Sequence, residues 1–339
     1  MAELVQNKGS VKVFGQVVGL HNENTFRKGV TKDGQGQPYQ SASLAVKTSE
    51  NNVIYNLDLF GQVPTGKVKV FSNKNGEKQT LEIDWDDKDN LPEGFTPFGF
   101  NAVRTSFEKD EKGKAIQKNY FNYDGVEVIK ESLSEGDSIW INGTFNVNTF
   151  MSNGEEKSTV KYTIGSIGLL KEPVDFSAEG FKEVASFEQE FVVIHTDIDK
   201  ANKKVFVTGR IINFNKTWND IMFVVDGNEF ETLAANVAKK FKFGDVVTVQ
   251  GKIRNGTVLE EIKEQPSAFD WGGEAPEGQG KKFNRNRISE LQITNVTEFK
   301  QKVYKEDDFF KSADPFEQTK GSSSSSDPFA EQPSEDPFA

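Results

Sequence analysis

The heptapeptide KKFNRNR sets four cations, Lys281, Lys282, Arg285 and Arg287, around one ring, Phe283. Cations attract phosphates and an aromatic ring offers a face to a base, so this mixture suits holding a nucleic-acid strand without reading its sequence. Stacking alone contributes roughly 1–3 kcal/mol per base. A second such group, Phe26, Arg27, Lys28 and Lys32, lies between His21 and Pro38, and Tyr39 opens the segment that follows. Elsewhere the chemistry-bearing residues are sparse. There is no Cys, which removes disulfides, thiolate nucleophiles and Cys-bound zinc. The two histidines, His21 and His195, lack zinc-helix spacing or a nucleophile elbow. Neighbouring carboxylates in Asp84-Trp85-Asp86-Asp87 would point to opposite faces of a strand, which disfavours a two-metal site. No enzyme, metal or cofactor is expected.

The 339 residues carry a formal charge of −11, which disagrees with the basic surface usual in nucleic-acid binders. The acid is unevenly placed. From Tyr304 to Ala339 nine carboxylates face three lysines, and from Glu82 to Glu93 six face Lys88 alone. The terminal stretch contains the serine run Ser322–Ser326 and repeats one triplet three times, as Asp314-Pro315-Phe316, Asp327-Pro328-Phe329 and Asp336-Pro337-Phe338. Such a tail is expected to be disordered, and each triplet suits a basic-rimmed pocket on a protein partner. A polar N-terminus and the lack of an apolar run of about 18 residues predict an unexported, cytoplasmic protein with no membrane partner.

Positioning these residues falls to short segments of alternating apolar and polar character, an all-β signature. VKVFGQVVGL from Val11 and KKVFVTGRIINF from Lys203 share a pattern, and Gly136-Asp137 and Gly244-Asp245 each open a strand with a further glycine, Gly143 or Gly251. Before each lies a helical segment, Val126–Ser134 or Ala234–Phe241. The order predicts two tandem OB-folds, five-stranded Greek-key barrels. The first spans 1–170, with strands at 10–20, 39–48, 52–61, 137–148 and 159–169 and a subdomain inserted at 62–123. A linker follows at 171–190, helical near 177–185. The second barrel covers 191–303, with strands at 203–215, 220–226, 229–233, 245–254 and 287–296 and a loop insertion at 263–286. The disordered acidic tail takes 304–339.

Strand parity turns Val53, Tyr55, Leu57 and Leu59 inward and Ile54, Asn56 and Phe60 outward. Lys47 shares the parity of Tyr39, Trp140 faces out, and Phe150 stands in the loop after it. Tyr39, Phe60, Trp140 and Phe150 are thus expected on one exposed track. In the second barrel Phe206 and Arg210 face outward, Lys216 and Trp218 follow in a loop, and Trp271 is either a stacker or a plug.

The stretch from Asn24 to Gly61, with Ile83–Asp87 and GDSIWINGTF, resembles single-stranded DNA-binding proteins of bacteriophages and mobile elements of Gram-positive hosts. That resemblance covers about the first 170 residues. It implies protection of unwound DNA in the bacterial cytoplasm during replication, recombination and repair, with Tyr39, Phe60, Trp140, Phe150, Arg27 and Lys32 at the strand. The tail is similar to the acidic tails of bacterial single-stranded DNA-binding proteins, which recruit replication and repair enzymes, although Ala339 follows Phe338 here. Alternative readings are an interaction scaffold or a structural virion protein docking through the Asp-Pro-Phe tail. Oligomeric state stays open, a two-barrel monomer being one form.

Overall fold

A computed structural model describes residues 3–32, 36–74, 76–152, 155–261 and 283–309. In chain order the strands are β1 (Gly9–Val18), β2 (Phe26–Val30), β3 (Pro38–Ser49), β4 (Asn52–Gln62), β5 (Val68–Lys74), β6 (Glu77–Ile83), β7 (Thr96–Pro97), β8 (Ala102–Lys109) and β9 (Ala115–Phe121). Helix α1 (Asn122–Ser132) precedes β10 (Ser138–Ser152), β11 (Glu155–Leu169), β12 (Val184–Asp199), β13 (Lys204–Ile212) and β14 (Trp218–Asp226). Helix α2 (Glu231–Lys240), β15 (Val246–Glu261) and β16 (Phe283–Lys300) complete the order.

The protein is all-β, with two OB-fold barrels. In the first, β1 pairs with β3 and β10, β3 with β4, β10 with β11, and β11 closes on β4 in parallel at Tyr162–Leu57. In the second, β12 pairs with β13 and β15, β13 with β14, and β16 joins β15 and, in parallel, β14. Each helix runs into its Gly-Asp turn. Gly136 and Gly244 hold φ of +85° and +82°, a left-handed backbone that favours glycine. The aspartates close these turns, Asp137 Oδ2 accepting from Ser134 N at 2.8 Å and Asp245 Oδ2 from Lys242 N at 2.9 Å.

The second barrel begins earlier than the sequence suggests. Its first strand is β12, which begins at Val184 inside the expected linker, and no helix forms at 177–185. The segment at 203–215 is therefore the second strand, and 229–233 leads into α2 instead of forming a strand. Alternation is absent at Phe191-Val192-Val193 because all three are fully buried, Phe191 and Val193 in the main core and Val192 in a second apolar cluster on the other face.

β1 and β12, the first strands of the two barrels, pair antiparallel, with Val11 opposite Phe187. The same two residues pair with the bulge glycines, Val11 with Gly143 and Phe187 with Gly251. They are therefore equivalent positions on a pseudo-twofold axis, and the two halves meet as isologous subunits would. One core spans both barrels. Its aromatic line runs from Tyr162 to Phe145 at 5.6 Å, on to Phe187 at 5.4 Å, to Phe223 at 5.8 Å and to Phe191 at 4.5 Å. Burial raises the Tyr162 phenol pKa, keeping it uncharged. A polar clasp adds to this contact where Asn52 of β4 meets Gly256 of β15.

The insertion between β4 and α1 forms a three-stranded sheet, β6-β5-β7, and the β8–β9 hairpin, whose β8 extends the barrel sheet beside β11. Trp85, Asp86 and Asp87 form a 3-10 turn rather than a strand, and Trp85 packs edge-on against Phe121 at 5.2 Å.

Candidate nucleic-acid interface

The segment from His21 to Pro38, which falls between the expected strands 10–20 and 39–48, contains a strand. β2 pairs with β3 so that Arg27 faces Ser41, and Gly29 faces Tyr39. Ser41 lies in turn opposite Phe60 of β4. Arg27, Tyr39, Ser41 and Phe60 therefore share the outer face, because directly paired residues point the same way. Tyr39 and Phe60 stack at 5.6 Å with 28° between planes, and Phe60 is 50% exposed. A Cβ at Gly29 would come 2.9 Å from the Tyr39 ring, so the ring lies across that glycine and covers the edge strand.

Other expected site residues are placed differently. Phe26, on the opposite face, packs against the core. Lys28 lies 2.6 Å from Glu127 of α1, and this bond raises the lysine pKa and lowers the carboxyl pKa. Its charge is thus matched internally, whereas Arg27 and Lys32 are exposed. Lys47 bonds Glu50 at 2.8 Å and lies over the Phe176 ring at 4.9 Å. Trp140 sits on β10 opposite Phe14 and Gly168, separated from the Tyr39–Phe60 pair by β1. Phe150 lies in β10 opposite Lys157, on a hairpin instead of a loop.

The connection from β1 to β2 is anchored by Glu135, which accepts from Gly19 N at 2.7 Å and Leu20 N at 2.8 Å, bonds that depress its pKa. A carboxylate of lowered folded-state pKa stabilises above its unfolded value and loses that effect as pH falls through the folded one. Glu135→Gln is therefore expected to be less stable than the native chain at neutral pH, with the two urea midpoints converging in acid. Parallel midpoints at every pH would contradict it.

In the second barrel Phe206 is half-buried on the outer face of β13. Arg210 is held by Asp220 through two 2.7 Å bonds and lies over Phe309 at 4.7 Å and Trp218 at 5.4 Å. Trp218 packs edge-on against Phe309 at 5.6 Å. Both side chains thus bind the segment after β16, and Lys216 reaches Glu3 at 3.1 Å. Phe283, Arg285 and Arg287 lie in β16 opposite Glu261, Leu259 and Thr257, so the strand expected from 287 starts earlier and takes in Phe283 and Arg285, which were expected in a loop. Lys281, Lys282, Trp271 and the tail residues Asp314, Pro315, Phe316, Asp327, Pro328, Phe329, Asp336, Pro337 and Phe338 lie outside the described residues.

Sequence parity missed Tyr55. Leu44 pairs with Leu57 but Val46 with Ile54, so three β4 steps oppose two on β3. Asn56 absorbs the extra residue at φ +59°. The bulge buries Ile54 and leaves Tyr55 43% exposed, reversing the expected orientation of both. An Asn within an alternating strand was the available signal, since Asn tolerates left-handed backbone.

Tyr55 and Asn56 open into a cleft of about 540 Å³ between the barrels, which also takes Tyr162, Thr208, Asp220, Met222, Arg254 and Glu290. Met222 is 58% exposed there. Arg254 bonds Glu229 at 2.7 Å, and Lys204 bonds Glu290 at 2.7 Å. A phosphate arriving at these cations would exchange one anionic partner for another.

No curated protein matches the chain. Solved structures similar to it include the single-stranded DNA-binding protein from Thermus aquaticus, 12% identical over 86% of this chain and 93% of that one, with a TM-score of 0.37. The small single-stranded DNA-binding protein from Streptomyces coelicolor is 13% identical over 50% of this chain and 97% of that one, at a TM-score of 0.20. The YorF family profile covers residues 8–324, both barrels together, and the chain belongs to the YorF family.

Proposed function

We propose that this protein is a non-catalytic binder of single-stranded DNA that coats unwound strands without sequence choice during phage replication, recombination and repair. It would act in the bacterial host cytoplasm, its acidic tail recruiting replication proteins through the Asp-Pro-Phe triplets. The carrying observation is the outer-face row Arg27, Tyr39, Ser41 and Phe60 on β2–β4, with Tyr55 of β4 opening into the inter-barrel cleft. OB-folds take nucleic acid on the face of their second and third strands, between the first and last hairpin loops. Here those strands are β3 and β4, and β13 and β14; Met222 and Thr208 bring the second pair to the same cleft. A phosphate cation beside stacked rings is the arrangement that sequence-tolerant single-strand binding needs.

Titrating poly-dT against intrinsic Trp fluorescence tests this reading. Quenching at low salt is expected, with weak binding of duplex and an affinity falling with a log–log slope of about −0.7 per phosphate contacted. No quenching at low salt overturns it. Deleting residues 312–339 is expected to leave affinity equal or higher, because a tethered anion competes with DNA.

A further inference from the structure

Phe60 borders a second cavity, of about 310 Å³, where the insertion meets the barrel. Gly61 makes this junction possible. A Cβ there would come within 2.1 Å of Tyr123 N, so only a bare glycine lets the start of α1 lie against β4 and brings Tyr123 beside Phe60. Trp85 of the insertion forms another wall, its ring 6.1 Å from Tyr123 at 88°. Gln62 and Asn101 supply polar groups, and Asn122 Nδ2 donates to Phe100 O at 2.9 Å, tying the Asn101 loop to α1.

We propose that the insertion closes a pocket for one unpaired nucleobase, walled by Phe60, Trp85 and Tyr123. This rests on the single-strand reading above and assigns the insertion to the same site. The volume lies near the lower end of ligand cavities, roughly 300–1,000 Å³. It suits one planar heterocycle, while a paired base stays locked in its duplex stack. Beyond Asn101 the path continues to Phe100, 91% exposed, and Phe98, which packs on Phe71 at 5.4 Å. A strand leaving the Tyr39–Phe60 stack would therefore meet rings, not bare backbone.

Two measurements on the full chain with oligo-dT test this. Tyr123→Phe keeps the ring and is expected to bind as the native chain does, whereas Tyr123→Leu keeps apolar bulk without a π-face and is expected to bind roughly five- to fifty-fold more weakly. In a chain with Trp140, Trp218 and Trp271 replaced by Phe, the emission of Trp85 is expected to fall on adding oligo-dT. Equal affinity of the Phe and Leu variants, or Trp85 emission unmoved at saturation, overturns the pocket while leaving the function intact. Absence of binding by the native chain overturns the function itself, so the two failures are distinguishable.

Discussion

Phe60→Ala is expected to weaken binding of oligo-dT by about 1–3 kcal/mol, roughly 5- to 150-fold, with little loss of fold stability. Phe60 is half exposed on the outer face of β4, and its main ring partner is Tyr39. Tyr39→Ala has a compound effect. Its ring stacks on Phe60 but also covers Gly29 of β2, so its loss loosens the strand that presents Arg27. The double variant is expected to lose about 2–4 kcal/mol, less than the summed single losses where both rings serve one base. Salt dependence separates stacking from charge: the Phe60 variant should keep the native slope, while Arg27→Ala should flatten it by about 0.7 if one phosphate contact is lost. An unchanged dissociation constant for Phe60→Ala would place the strand elsewhere on the molecule.

The elements that announced themselves in the sequence were those whose local chemistry was sufficient. Alternation at Val11, Val13, Gly15 and Val17 gave the face of β1, all four being buried. The Gly-Asp turns marked both helix-to-strand junctions because a left-handed glycine and a turn-closing carboxylate are local requirements. What stayed hidden depends on the partner barrel. β12 carries no alternation at its centre because both its faces are covered, Phe191 and Val193 entering the shared core and Val192 a second apolar cluster with Tyr304 and Phe309, and the match of 11–20 with 203–214 consequently joined a first strand to a second one.

The site divided the same way. Parity puts Tyr39 and Phe60 on one face, where their rings stack, and the spacing could not reveal that Asn56 resets the register and exposes Tyr55. Cations were easy to find in the sequence and hard to weigh. Lys28, Arg210 and Lys216 each have a carboxylate partner, at 2.6, 2.7 and 3.1 Å, supplied by a distant or differently folded segment. Three cations expected at the strand are thus already matched by carboxylates, which shifts the expected affinity toward stacking and lowers its sensitivity to salt.

Asn52→Ala is expected to destabilise the protein by about 2–4 kcal/mol, the largest stability effect proposed for a single polar residue of this chain. Asn52 is 8% exposed and bonds three groups across the barrel junction. Its Nδ2 donates to Glu183 Oε1 at 2.7 Å and Ile253 O at 2.9 Å, and its Oδ1 accepts from Asn255 N at 2.7 Å. Truncation leaves the carbonyl of buried Ile253 and the half-buried Asn255 N–H without this partner, while the exposed Glu183 carboxylate turns to water; each buried unsatisfied group costs about 1–3 kcal/mol. Asn52→Asp is a stringent companion, because it retains the acceptor for Asn255 but sets a carboxylate against Glu183. It is expected to be at least as destabilising at neutral pH and to recover on acidification. Urea melts followed by Trp fluorescence measure both, with the exposed Glu50→Gln as a control expected within about 0.5 kcal/mol of the native chain. A midpoint for Asn52→Ala indistinguishable from the control would mean that the shared apolar core, from Tyr162 through Phe145 to Phe187, holds the barrels together without the clasp. With the clasp contributing as argued, the barrels gain a fixed relative orientation, which the cleft at Tyr55 and Met222 requires before one strand can lie on both faces.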